Sequence, residues 1–159
     1  MKYLITAILL LVSLTASGAE KKTPCSTEEY RQFDFWVGDW EVFNPKGEKV
    51  GENTIEKILG GCSLQESWRG ASGNIGHSYN IYDGATSSWH QTWVDNGGML
   101  LKLDGGMVGD SMVMKGTTQG KSGVVHNKIR WTPAEGSVKQ VWSVSTDNGE
   151  SLQVIFDGL

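Results

Sequence analysis

No run of basic residues and no lysine- or arginine-rich face occurs in this sequence, where 14 Lys and Arg are outnumbered by 18 Asp and Glu. Nucleic acid and anionic membrane surfaces are therefore not expected partners. Proline is scarce, at 3 residues, so most turns fall to glycine. Only 2 cysteines are present, Cys25 and Cys62, and neither has a histidine beside it. That leaves a zinc site without a ligand set. His77, His90 and His126 form no compact motif, and there is neither a Gly-x-Ser-x-Gly elbow nor a clear Ser/His/Asp set. Gly105-Gly106-Met107-Val108-Gly109 is glycine-rich, yet no helical pattern follows it. It reads as a hairpin turn and not as a phosphate cradle. No cofactor and no metal is expected.

Beyond the N-terminus there is no long apolar run. Met1-Lys2 is followed by an uncharged stretch, Tyr3 to Ala16, and then by the small residues Ser17-Gly18-Ala19. The stretch of about 14 residues is shorter than the ~20 that span a bilayer as a helix. Residues 1–19 read as a signal peptide, which predicts a periplasmic or secreted protein with one domain over 20–159. An uncleaved membrane anchor is the alternative. Lipid attachment at Cys25 fits less well, because Lys-Thr-Pro precedes it. In an exported chain the pair Cys25 and Cys62 is expected to form a disulfide, two free thiols being the alternative.

Glycine pairs punctuate the rest, as in Gly60-Gly61, Asn96-Gly97-Gly98 and Asp104-Gly105-Gly106. Between them lie short segments of alternating character. They read as about ten strands spaced 8–12 residues apart, near 38–44, 49–58, 63–69, 74–83, 87–95, 99–103, 111–117, 124–132, 137–145 and 152–156. The spacing, with no helical crossover, predicts an all-β fold: an up-and-down antiparallel barrel, which removes exposed strand edges. One short helix is expected before it. Ser26-Thr27-Glu28-Glu29 has a capping-box pattern, and Tyr30, Phe33 and Val37 follow at helical spacing to close one barrel end.

That helix leads into Gly38-Asp39-Trp40. A Gly-x-Trp in this place resembles the calycin superfamily of lipocalins and fatty-acid-binding proteins. A longer set of segments is similar to a group of exported bacterial lipocalin-like barrel proteins, a domain family of unknown function. These are the stretch from Phe33 to Val42, Tyr82-Asp83, Trp89 to Asp95, Trp131-Thr132-Pro133 and Phe156-Asp157-Gly158. The resemblance implies a barrel whose first-strand Trp packs across the closed end. The late arginine that stacks on that Trp in lipocalins has no counterpart after Arg130, and the Gly-Trp-Gly-Gly pattern of the haem-binding branch is absent.

Strand periodicity points to one mixed face. Trp89, Gln91 and Trp93 share a side, as do Leu64, Glu66 and Trp68, then Gln140 and Trp142, then Ile129 and Trp131. If Asp83-Gly84-Ala85-Thr86 is the turn, Tyr82 pairs with Ser87, so Asn80 faces Trp89 and Ser78 faces Gln91. A filled interior favours Leu, Ile and Val, whereas a ligand cavity combines aromatic walls with a few polar handles. The expected ligand site is thus Glu66, Asn80, Gln91 and Gln140 between Trp68, Tyr82, Trp89, Trp93, Trp131 and Trp142, holding a small hydrophobic or aromatic molecule. Two alternatives stay open. The amides could satisfy Trp N–H groups in a packed core, leaving the barrel to act through its surface. Or the opposite face, with Tyr79, Ile81, Val94, His77 and His90, could point inward. Glu66, between tryptophans, is expected to have a raised pKa. It could orient a ligand, bind Arg69, Arg130 or a Trp N–H, or serve an enzyme as general acid or base. Met99, Met107, Met112 and Met114 group around the Gly105–Gly109 hairpin, as core or as a pliable mouth.

Overall fold

Alternation such as Gly51-Glu52-Asn53-Thr54-Ile55-Glu56 gives a strand one wet face and one dry face. The computed structural model describes residues 23–159, and ten such strands make up most of it. They are β1 (Gly38–Phe43), β2 (Lys49–Ile58), β3 (Ser63–Gly70), β4 (Ile75–Asp83), β5 (Ser88–Asp95), β6 (Leu100–Val108), β7 (Ser111–Gly120), β8 (Gly123–Ala134), β9 (Ser137–Ser145) and β10 (Gln153–Gly158). Each pairs antiparallel with the next, in one sheet ordered β1 to β10. The sheet curls until its ends meet. Phe43 and Leu159 exchange backbone hydrogen bonds of 2.9 and 3.0 Å, joining β1 to the residue after β10. Gly158 permits this approach, since a Cβ there would stand 2.8 Å from Val42 Cγ1. The fold is an up-and-down barrel. Among the described residues no helix is long and apolar enough to cross a membrane. The expected signal peptide, residues 1–19, lies outside them.

The inward face is the mixed one. Tyr79, Ile81 and Val94 are 55%, 42% and 48% exposed, whereas Glu66, Asn80 and Gln91 are buried. The inverted arrangement is thereby overturned. His77 and His90 lie on the outer face, where His90 contacts Asp104.

The segment before β1 closes one end. It forms two 3₁₀ turns, Glu28–Arg31 and Asp34–Trp36, and no side-chain cap bond is made at Thr27. Phe33 and Trp36 are buried and stack at 4.8 Å. Phe33 meets Trp131 at 5.2 Å and Trp89 at 5.7 Å, both edge-on. Trp40 lies beneath, its indole N–H donating to the Trp36 carbonyl at 2.9 Å. Arg31 donates to the carbonyls of Cys25 and Gly61 and pairs with Asp34 at 3.7 Å. The Cys25–Cys62 disulfide, with Cα atoms 5.1 Å apart, fastens the same segment to the start of β3.

Two local expectations are corrected. Gly105-Gly106 is not a turn but the middle of β6, and the reversal comes later, at Gly109-Asp110. The glycine serves close approach: a Cβ on Gly105 would fall 2.1 Å from the Val113 carbonyl oxygen on β7. The methionines stay on this β6–β7 hairpin, with Met107 opposite Met112, and join one core. Met112 and Met114 are fully buried core, Met107 packs toward the plugged end, and Met99 precedes β6 at the other. The β4–β5 register also differs by two residues, with Tyr82 opposite Trp89, Asn80 opposite Gln91 and Ser78 opposite Trp93. A two-residue shift leaves every side chain on its expected face.

The disulfide closes a loop of 37 residues around the plug. Replacing both cysteines by serine is expected to lower stability by about 3–4 kcal/mol, read as a lower urea midpoint with strand circular dichroism retained in the native baseline.

Candidate functional site

Above the plug the barrel is hollow. The space encloses about 300 Å³ and is walled by Trp68, Trp93, Trp131, Trp142, Leu101, Ile129 and Phe156. Its rim includes Ser72 and Asn74 of the β3–β4 loop, at the end opposite the plug.

The walls depend on glycines set opposite tryptophans. A Cβ on Gly76 of β4 would lie 2.2 Å from Trp93 Cζ2, and one on Gly51 of β2 would lie 2.4 Å from Trp68 Cη2. Only a bare backbone lets the indoles lie flat across neighbouring strands. Trp142 is fixed differently, its N–H donating to Asn127 Oδ1 at 3.0 Å. Phe156 meets Trp68 edge-on at 5.9 Å.

Polar groups enter the lumen as one connected chain. Gln91 Nε2 donates to Asn80 Oδ1 (2.8 Å), Asn80 Nδ2 to Ser78 Oγ (3.0 Å), and Ser78 Oγ to Glu66 Oε2 (2.6 Å). From the other side, Asn53 Nδ2 donates to Glu66 Oε1 at 2.8 Å. Every donor in the chain leads toward one carboxylate. Such chains polarise one another, so an arrangement of this kind favours an anion at its end. Burial acts the other way and is the larger effect. It pushes the Glu66 carboxyl above the usual glutamate range, against the downward pull of Ser78 and Asn53. Neither Arg69, Arg130 nor a tryptophan N–H reaches Glu66; its partners are Asn53 and Ser78. Among the described residues lining the cavity there is no Lys, Arg or His. Asn53 Oδ1 and Trp131 Nε1 are buried without a partner among the described residues.

Of the residues expected to form the site, Glu66, Trp68, Gln91, Trp93, Trp131, Gln140 and Trp142 line this space. Asn80, Tyr82 and Trp89 do not. Trp89 lies under Phe33 with its N–H on Gln32 Oε1 at 3.2 Å. Tyr82 packs edge-on against Tyr30 at 5.2 Å. Asn80 braces Gln91 and Ser78 from behind. The sequence reading passed over Asn53, Ser78 as a carboxylate partner, and the seats Gly51 and Gly76. The signal for Asn53 was present: Glu52, Thr54 and Glu56 make the opposite face of β2 polar, so Gly51, Asn53 and Ile55 turn inward.

No protein-family model matches the chain, and no curated protein shows significant similarity to it.

Two outcomes follow from this geometry. For Glu66, a folded-state pKa above the unfolded value means the unfolded chain loses its proton first as pH rises. Stability therefore falls from the ordinary glutamate range up to the raised value and is level below it. Glu66→Gln should be more stable than the parent at about pH 8, with the gap closing near about pH 4; thermal melts at both values test this. For the tryptophan seat, Gly76→Ala should cost about 1–3 kcal/mol and alter the Trp emission, because Trp93 must leave its place.

Proposed function

We propose that this protein binds a small, mostly apolar or aromatic molecule inside the barrel. The observation that carries the reading is the hollow of about 300 Å³, walled by tryptophans and holding a single hydrogen-bonded polar cluster. Ligand sites have this make-up: concave, chiefly apolar, with a few fixed polar groups that set orientation. Glu66, Asn53, Gln91 and Gln140 are the orienting groups, and the indoles supply the buried area. Asn53 Oδ1 and Trp131 Nε1 offer one acceptor and one donor to the guest. The barrel and its Gly38-Asp39-Trp40 opening support a lipocalin-like relationship. The disulfide and the signal-like first 19 residues support export to the periplasm or the exterior.

The buried carboxyl of Glu66 favours a second reading, a general acid or base acting on a molecule held in the same space. Conversion of a bound compound, abolished in Glu66→Gln with binding retained, would distinguish catalysis from carriage.

Binding is tested by native mass spectrometry of the protein from its own host, together with Trp fluorescence before and after delipidation. A co-purifying small molecule whose removal shifts the emission is the expected result. Leu101→Phe, which adds volume at the cavity wall, should weaken binding of a neutral aromatic probe such as 2-phenylethanol by about tenfold or more without loss of strand signal. No bound mass, together with emission that no aromatic probe alters, would sink the reading.

A further inference from the structure

The chemical character of the guest follows from what the cavity offers it. Glu66 is the one ionisable side chain among the described residues lining the space, and it is 4% exposed. The strands packed around it present Asn53 and Ile55 from β2, Ser78 and Asn80 from β4, Gln91 and Trp93 from β5, and Trp131 from β8. None of these titrates in the acid or neutral range, and none brings a positive charge. A buried carboxylate without a counter-ion has two ways to end its isolation: it takes up a proton, or it meets a cation that enters.

The surroundings suit a cation. Asn53 and Ser78 occupy one acceptor position on each carboxylate oxygen, and a carboxylate has about four. The walls are indole faces, whose quadrupoles attract ammonium groups. An anionic guest such as a fatty acid would find no basic side chain among the described lining residues and would face Glu66 at close range.

Building on the binding function proposed above, we propose that the cavity selects an organic ammonium ion, a small aromatic amine whose nitrogen meets Glu66 while its ring lies among Trp68, Trp93 and Trp142. The amine supplies the counter-charge the fold withholds. The donor chain ending on Glu66 then holds the anionic form in place for it. Occupancy also couples to pH, because the carboxyl must lose its proton for the pair to form.

The test compares 2-phenylethylamine with 2-phenylethanol, nearly identical in shape, by titration calorimetry on the purified protein at about pH 7.5. The amine should bind at least about tenfold tighter than the alcohol. Glu66→Gln should reduce that preference to within about twofold while the alcohol still binds. The unsubstituted protein gives a second readout: amine affinity should fall by about tenfold or more between about pH 8 and about pH 5, with the alcohol little changed. Equal or tighter binding of the alcohol would overturn the ammonium assignment and leave the cavity reading standing. Binding of neither compound, with Trp emission unmoved, would overturn both.

Discussion

A ten-stranded barrel, once closed, encloses a lumen wider than its own side chains readily fill, since about eight strands already bring interior side chains just into contact. Most of what is particular to this chain is an answer to that surplus. At one end the chain fills the lumen from outside the sheet: Phe33 and Trp36 enter on two short 3₁₀ turns and pack against Trp89 and Trp131. Arg31 and the Cys25–Cys62 bridge keep those turns from leaving. At the other end nothing comparable enters among the described residues. The indoles lie flat along the wall on Gly51 and Gly76, leaving the centre open. Glycine there costs conformational entropy and strand propensity, and in exchange the largest side chains become lining.

Tryptophan N–H groups are satisfied in different ways along the barrel. Near the plug they find protein partners, Trp40 on the Trp36 carbonyl and Trp89 on Gln32. At the cavity wall Trp142 donates to Asn127, whereas Trp131 Nε1, between the plug and the cavity, has no partner among the described residues. A self-satisfied aromatic core and a cavity with polar handles are thus both present, one above the other, rather than competing descriptions of a single interior. The carboxylate chain lies between them. Its members come from β2, β3, β4 and β5, so it ties four consecutive strands together across the middle of the barrel.

Much of this was legible because strand period is insensitive to register. The β4–β5 turn was placed one residue early, which displaced every pair by two, and each inward residue still fell on the correct face. What periodicity does not encode is depth. Tyr82 and Trp89 share the face of Gln91 and Trp93 but lie lower, where the plug occupies the lumen, and Asn80 stands level with Gln91, behind its amide. The volume of that plug is a tertiary fact: the capping pattern announced a helical segment, not how far Phe33 and Trp36 would reach. Glycine was misread for a related reason. Gly105-Gly106 has the composition of a turn, yet its role is to let β7 approach β6, as Gly76 does for an indole. Composition alone does not separate a glycine that bends the chain from one that makes room.

These placements bear on why Glu66 is retained in the lumen. Had the cavity only to hold apolar matter, a leucine in place of Glu66 would avoid the desolvation that raises its pKa and would leave no donors to satisfy. The fold instead commits Asn53, Ser78, Asn80 and Gln91 to supporting one carboxyl. A half-supported charge would be worse than none. Under the binding function proposed above, a hydrogen-bonded carboxyl with open acceptor positions and no cation among the described lining residues discriminates between guests by charge. In that proposal the tryptophans govern how tightly a guest binds, and Glu66 governs which guest it is.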